Sequence, residues 1–244
     1  MSEVVYDWAQ SGRTSDWKLE GNGQVLLAEP DGVMVDDTDR GALQLRTFHC
    51  GPGRRATTVW LKDLILPPNF RIEWTHRSKA ADGNTMLIFN ALPLGLADFF
   101  EDPRPDARYC DLGSYGKIIC HTLGFHRGVY GRPSVLRKLG GHVPPHWGQM
   151  NWVGPYQEAY ERETTLSSQT EPLTAADRGR PHNYAVQREG TRIQAWIDGQ
   201  LLHDITDHGQ YPHFKESLTG GRIAFRNFSG YADDFYPKVR VEKL

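Results

Sequence analysis

Side chains that could act together in catalysis are concentrated between residues 121 and 132. His121, Arg127 and Tyr130 follow one another in a segment that leaves a predicted strand. A histidine titrates near neutral pH, a tyrosine can deliver a proton, and an arginine can bind a carboxylate through two hydrogen bonds. β-Elimination of a uronic-acid sugar requires these groups, so we predict His121 and Tyr130 as catalytic residues. The alternative is that His121 is a satisfied core histidine and Tyr130 a packing aromatic residue.

Other polar and aromatic side chains could bind a substrate. Arginines would hold a sugar carboxylate or hydroxyl groups, an asparagine would neutralise the carboxylate, and histidines and a tryptophan on a loop could form a lid over a sugar ring. The residues predicted for this role are Arg77, Asn90, Arg127, Arg137, Arg226, His142, His146 and Trp147. The alternatives are structural, because loop tryptophans can anchor a loop and loop charges are often simply solvated.

A hydrolase and a binding protein are the alternatives to elimination. A glycoside hydrolase needs two carboxylates about 5 to 10 Å apart across the sugar. Glu73 is the one carboxylate on a well-predicted strand, and Asp98 on a loop is a candidate partner for it. A non-catalytic, lectin-like protein would use the same polar and aromatic side chains without turnover.

Metal binding has little support in the sequence. His142 and His146 lack the helical spacing of a zinc site and an identifiable third ligand, so no catalytic metal is predicted. Asp233 and Asp234 could hold a structural calcium ion, with a solvated turn as the alternative. No other cofactor is expected.

Alternating apolar and polar residues predict strands along most of the chain. The segment 70–77 alternates almost perfectly, which directs Phe70, Ile72 and Trp74 inward. Residues 184–205 read as three strands joined by turns at Glu189-Gly190 and Asp198-Gly199. About a dozen short strands and almost no helix predict an all-β protein, a two-sheet antiparallel β-sandwich or jelly roll.

The chain is long enough for one large β domain, since it has 244 residues and a mass of 27.7 kDa. We predict a single domain over residues 1–244, with long loops at about 92–115 and 127–182. The second loop is too rich in aromatic residues for disorder, and a short helical turn is predicted at 157–163.

Charge and hydropathy exclude several kinds of partner. Lys and Arg number 28 against 30 Asp and Glu, so there is no overall positive field for nucleic acid or an anionic membrane. No apolar run approaches the ~20 residues of a membrane span. The N-terminus lacks a signal-peptide pattern, so we expect a cytoplasmic protein. The spacing of Cys50, Cys110 and Cys120 fits reduced thiols rather than a metal site.

Several short segments, taken in order, resemble the YesU-like family of bacterial pectin-utilisation loci. They are residues 16–24, 72–74, 86–89, 98–100, 115–121, Arg127 with Tyr130, 136–138 and 221–226. The likeness covers most of the chain, although an insertion around 143–174 is longer here. The resemblance implies a galectin-like, concanavalin-type sandwich and a link to the breakdown of plant or algal polysaccharides. It implies no particular catalytic residue.

Together these patterns predict a carbohydrate-active protein whose partner is an oligosaccharide or polysaccharide. Our first prediction is a lyase that acts by β-elimination on oligosaccharides from acidic plant or algal polysaccharides. The hydrolase built on Glu73 and the lectin-like binding protein remain the alternatives.

Overall fold

The described part of the chain is a set of segments separated by gaps. The computed structural model describes residues 2–21, 23–27, 41–47, 56–79, 84–94, 99–100, 118–125, 133–140, 155–173, 177, 179–209, 216–228 and 232–244.

Most of the described residues lie in strands. The strands are β1 (Glu3–Asp7), β2 (Trp17–Gly21), β3 (Gly23–Leu27), β4 (Leu43–Thr47), β5 (Ala56–Leu61), β6 (Phe70–Ser78), β7 (Asn84–Pro93), β8 (Ile118–Phe125), β9 (Pro133–Gly140), β10 (Thr165–Thr170), β11 (His182–Glu189), β12 (Arg192–Ile197), β13 (Gln200–Thr206), β14 (Arg222–Phe228) and β15 (Ala232–Lys243). The helices are α1 (Trp8–Ser11), a 3-10 turn (Thr14–Asp16) and α2 (Pro155–Thr164). None of the described helices is long and apolar enough to span a membrane.

The strands form two antiparallel sheets. Sheet A has the order β13-β12-β11-β6-β15-β4-β3, with β1 also paired to β15. Sheet B has the order β10-β9-β8-β7-β14-β5-β2. The prediction of an all-β, two-sheet antiparallel β-sandwich is therefore confirmed.

Strand β6 shows how the sequence sets the two faces of sheet A. Buried and half-exposed residues alternate along all of it, because successive side chains of a strand point to opposite faces. Phe70, Ile72 and Trp74 are buried between the sheets, as predicted. His76 follows the same inward register and is 1 % exposed.

Aromatic rings fill much of the space between the sheets. Trp74 of sheet A stacks on Tyr184 at 5.3 Å and lies 5.3 Å from Phe125 of sheet B. Phe225 of sheet B stacks on Tyr236 of sheet A at 4.2 Å. Such pairs add to the energy of burial, so this layer of rings holds the two sheets together.

Sheet B is buried on both faces near its centre. Trp60, Ile88 and Ala224 point away from sheet A, yet each is at most 1 % exposed. Phe99 covers this outer surface and packs against Trp60 at 4.8 Å. Every residue of β8 is consequently buried, which is why its alternation could not be assigned from the sequence.

The predicted loop at 127–182 is wrong in part, because it contains β9, α2 and β10. Strand β9 is buried on both faces and β10 is a polar edge strand, so neither alternates in the expected way. The helical turn predicted at 157–163 lies within α2. Cys120 is a free, buried thiol, as predicted, whereas Cys50 and Cys110 lie outside the described residues.

Candidate functional site

His121 lies between the two sheets and has no exposed surface. Its Nε2 is 3.1 Å from Oδ2 of Asp207, and its ring stacks on Phe89 at 5.2 Å. Burial lowers the pKa of His121, although the Asp207 carboxylate opposes this effect. A general base must contact its substrate. The geometry therefore fits the alternative in which His121 is a satisfied core histidine.

Asn90 is hydrogen-bonded to the other ring nitrogen of His121. The Asn90 amide nitrogen donates to the carbonyl of Gly220 at 2.9 Å, and its oxygen accepts from Nδ1 of His121 at 3.1 Å and from Arg188 at 3.3 Å. The reverse orientation would set the amide oxygen against a carbonyl oxygen. Asn90 has φ 52°, a conformation that this hydrogen bonding helps to hold.

Two cations complete this buried polar cluster, which consists of Asn90, His121, Lys138, Arg188 and Asp207. The ammonium of Lys138 donates to both carboxylate oxygens of Asp207, at 3.0 and 3.1 Å. Burial raises the pKa of Asp207, but the hydrogen bonds and charges of His121 and Lys138 outweigh it and hold the pKa well below its usual range. The cluster is closed to solvent, which indicates a structural role.

The predicted site residues that the structure describes lie in three different places. Arg77 is on the outer face of sheet A, where its Nε donates to the carbonyl of Gly179 at 2.7 Å. Arg226 points from the outer face of sheet B and is 5 % exposed, and Arg137 of β9 points to that same face. His121 lies between the sheets. The structure therefore does not bring Arg77, Arg226 and His121 together, and the proximity of His121 to Arg127 and Tyr130 stays a prediction.

The remaining predicted site residues lie outside the described part of the chain. They are Arg127, Tyr130, His142, His146 and Trp147, together with Asp98, the candidate partner of Glu73. They stay predictions.

The carboxylates suggested for calcium have other partners. Asp233 accepts from the amide of Gln44 at 2.6 Å, and Asp234 lies 2.9 Å from Nε2 of His76. Asn227 also donates to Asp234. Within the described segments, no group of three or more His, Cys, Asp or Glu side chains is arranged to hold a metal ion.

An open pocket of about 410 Å³ lies on the outer face of sheet A. We call it the outer pocket; its lining includes Arg71, Glu73, Asn183, Ala185, Trp196, Gly199 and Lys238. Four strands supply six of these residues, and Gly199 lies in the turn after β12. Trp196, Ala185 and Glu73 are cross-strand neighbours on β12, β11 and β6, and the row with Lys238, Thr75 and Asn183 lies next to it.

The shape of the outer pocket follows from this cross-strand order. The small side chain of Ala185 lies between the larger ones of Trp196 and Glu73, so it leaves a hollow at the floor. Trp196 is half-buried and forms one wall. Its alternating neighbours Ile193 and Ile197 are buried in the core, which directs the indole outward.

Arg71 is held firmly at the edge of the outer pocket. Its Nε donates to Glu73 at 2.9 Å and its Nη1 donates to Gln187 at 3.0 Å. Its guanidinium also lies 5.1 Å from the ring centre of Trp196, within the range of a cation–π contact.

Glu73 lies between two cations. Lys238 donates to its second oxygen at 2.8 Å. Burial raises the pKa of Glu73, but hydrogen bonds from Lys238 and Arg71 lower it overall, so the group is ionised at neutral pH. An ionised carboxylate fixed by two cations is poorly suited to act as the general acid of a hydrolase.

Three residues of the outer pocket were not predicted from the sequence: Trp196, Asn183 and Lys238. One signal for Trp196 was present, because residues 192–197 alternate and the tryptophan occupies a polar position of that alternation. Lys238 carried no local signal, since it becomes a neighbour of Glu73 only through the pairing of β15 with β6.

Solved structures with the same fold include proteins that bind sugars. A protein of unknown function with a galectin-like fold from Bacillus subtilis matches with a TM-score of 0.69, 19 % identity and coverage of 99 % of this chain and 97 % of that one. The carbohydrate-binding module CBM66 from Bacillus subtilis matches with a TM-score of 0.53, 12 % identity and coverage of 93 % and 96 %. The VIP36 exoplasmic/lumenal domain, in a form bound to Ca²⁺ and Man3GlcNAc, matches with a TM-score of 0.55, 11 % identity and coverage of 99 % and 90 %.

These likenesses establish a galectin-like fold for the chain. No protein-family model matches the sequence, and no curated protein matches it.

Proposed function

We propose that the chain is a carbohydrate-binding protein and that the sugar lies in the outer pocket. The observation that carries the proposal is the pocket itself, in which a half-buried indole faces a set of charged and amide side chains across the small Ala185. An indole face packs well against the apolar face of a pyranose ring, and polar groups around it bind the hydroxyl groups. A volume of about 410 Å³ falls in the range of ligand sites.

Two further facts support this location. Sugar-binding proteins occur among the structures that share the fold, as their names state. The opposite outer surface, on sheet B, is closed at its centre, where Thr58, Trp60 and Thr122 are each 1 % exposed.

Binding without cleavage fits the described geometry better than elimination or hydrolysis. His121 has no exposed surface, and Glu73 is ionised between Arg71 and Lys238. The origin of the sugar in acidic plant or algal polysaccharides, the relation to the YesU-like family and β-elimination by Tyr130 stay predictions of the sequence.

The proposal is tested by titrating the protein with a panel of oligosaccharides and measuring heat of binding. We expect saturable binding that falls at least tenfold in Trp196→Ala, because loss of a stacking aromatic costs more than the ~1.4 kcal/mol that corresponds to that factor. Ile65→Ala is the matched control, since Ile65 is a large apolar side chain that is 56 % exposed in a loop. Equal binding by wild type and Trp196→Ala, or no binding to any sugar, would contradict the proposal.

A further inference from the structure

The outer pocket has more unused hydrogen-bond donors than acceptors. Each oxygen of Glu73 already accepts, one from Arg71 and the other from Lys238. Asn183 accepts from the hydroxyl of Thr75 at 2.8 Å through its Oδ1, which leaves the Nδ2 amide hydrogens. Each of these three oxygens therefore already accepts one hydrogen bond and has one acceptor site left.

The donors are only partly used. Arg71 donates through Nε and Nη1, and no hydrogen bond from its Nη2 is formed to any described residue. Lys238 has three N–H donors and, in the described segments, bonds to Glu73 alone. With Asn183, this gives the pocket three sources of unused donors.

The formal charge of the side chains that line the outer pocket also favours an anionic ligand. Arg71 and Lys238 contribute two positive charges and Glu73 one negative charge. Arg240, the next cation along β15, is paired with Glu242 at 2.6 Å. One positive charge in the outer pocket is therefore not balanced by a lining carboxylate.

The guanidinium of Arg71 is held in a fixed orientation. Glu73, Gln187 and the ring of Trp196 hold its guanidinium on three sides. A guanidinium that is already oriented loses little conformational entropy when a ligand binds, and its free N–H groups suit an oxyanion.

From these observations we infer that the outer pocket selects an anionic sugar, whose carboxylate or sulfate group binds to Arg71, Lys238 and Asn183 while the ring stacks on Trp196. The inference rests on the proposed function, because it names the class of carbohydrate that the same pocket takes. Arg71 and Lys238 are then specificity-determining residues.

The test compares three trisaccharides that share a backbone and differ in whether they carry a carboxylate, a sulfate or no charged group. Wild-type protein is titrated with a uronic-acid trisaccharide, with the same trisaccharide after its carboxyl groups are reduced to alcohols, and with a sulfated form of that neutral sugar. We expect the neutral sugar to bind at least about tenfold more weakly than one of the anionic sugars, the effect of one charge-assisted hydrogen bond. The stronger of the two anionic ligands identifies carboxylate or sulfate as the group that is bound.

Three variants locate the selectivity. Lys238→Met removes one cation, and Asn183→Asp keeps the acceptor for Thr75 but replaces the amide donors with a negative charge. Both should weaken binding of the anionic sugar about tenfold or more and leave the neutral sugar nearly unchanged. Arg192→Gln is the control, because Arg192 pairs with Asp204 outside the pocket at 2.6 Å and its loss changes the net charge equally.

The outcomes separate this inference from the proposed function. If the neutral sugar binds as well as the anionic ones, and Trp196→Ala abolishes both, the chain binds carbohydrate and the inference on charge is overturned. If Lys238→Met and Arg192→Gln weaken binding equally, the preference comes from overall charge, and the assignment to the outer pocket is overturned. If no sugar binds wild type, both proposals fail.

Discussion

Nε2 of His121 lies 3.1 Å from Oδ2 of Asp207, and the two side chains are 0 % and 1 % exposed. This pair joins β8 of sheet B to the end of β13 in sheet A, and Lys138 shares the same carboxylate. It ties the two sheets together within the core.

We predict that Asp207→Asn greatly lowers the free energy of unfolding. The substitution leaves Lys138 and Arg188 buried without their carboxylate, which costs about 3 to 5 kcal/mol. Urea unfolding measures the effect. His121→Gln should cost less, about 1 to 3 kcal/mol, because it removes hydrogen bonds but keeps the ion pair between Lys138 and Asp207. Near-wild-type stability in both variants would contradict a structural role for the cluster. An elimination activity that disappears in a stable, folded His121→Gln would restore the catalytic role.

Because of the buried His203, we predict that the protein becomes less stable as the pH falls. It is 0 % exposed, with Nδ1 2.9 Å from the hydroxyl of Ser167 and Nε2 3.1 Å from that of Ser134. Ser134 donates to the carbonyl of Gly124 at 2.8 Å, so Nε2–H donates to Ser134 and the hydroxyl of Ser167 donates to Nδ1. The histidine is thus bound in its neutral form, and burial lowers its pKa to about 4.

The sign of the pH effect follows from this shift. The pKa of His203 is lower in the folded than in the unfolded protein, for which 6.5 is the ordinary value. Its contribution to stability is therefore complete above pH 6.5 and is lost as the pH falls toward 4, by about 3 kcal/mol. Urea unfolding between pH 7 and pH 4 should show a shallower pH dependence in His203→Gln than in wild type. Identical slopes would contradict the assignment.

We predict that replacing two glycines with positive φ lowers the stability of the protein by very different amounts. Gly140 has φ 121°, and an added Cβ would lie 2.1 Å from the carbonyl oxygen of Ile118 on the neighbouring strand. Gly190 has φ 58° in a turn, and an added Cβ would meet nothing within 4 Å. Gly140→Ala should cost about 3 kcal/mol or more, and Gly190→Ala about 1 to 2 kcal/mol. Thermal unfolding of the two variants provides the comparison, and equal losses would show that contact with Ile118 is not the cause.

The sequence predicts the sandwich well where one face of a strand is polar. Strand β6 alternates without a break, and Asp198-Gly199 marks the turn after β12, with φ values of 48° and 82°. Strands β8 and β10 are predicted poorly from the sequence, for opposite reasons. Both faces of β8 are buried, and β10 is a polar edge strand, so neither shows the alternation that identifies a half-buried strand.

The candidate site was harder to predict than the fold. His121 and Arg226 were chosen for their chemistry, but their positions depend on which way β8 and β14 face, and β8 carries no polar face to decide it. Glu73 was recognised, whereas its partner Lys238 comes from the far end of the chain. Cross-strand neighbours are set by sheet order, which local sequence patterns do not contain.

The most direct test of carbohydrate binding in the outer pocket is a map of backbone amide and indole NMR shifts during titration with a bound oligosaccharide. We predict that the largest shifts occur at Asn183, Ala185 and the indole N–H of Trp196, and that Ala185→Leu, which fills the hollow, removes them. Shifts that instead cluster around Arg226 and Thr58 on sheet B, or a titration that leaves the residues of the outer pocket unchanged, would contradict the account.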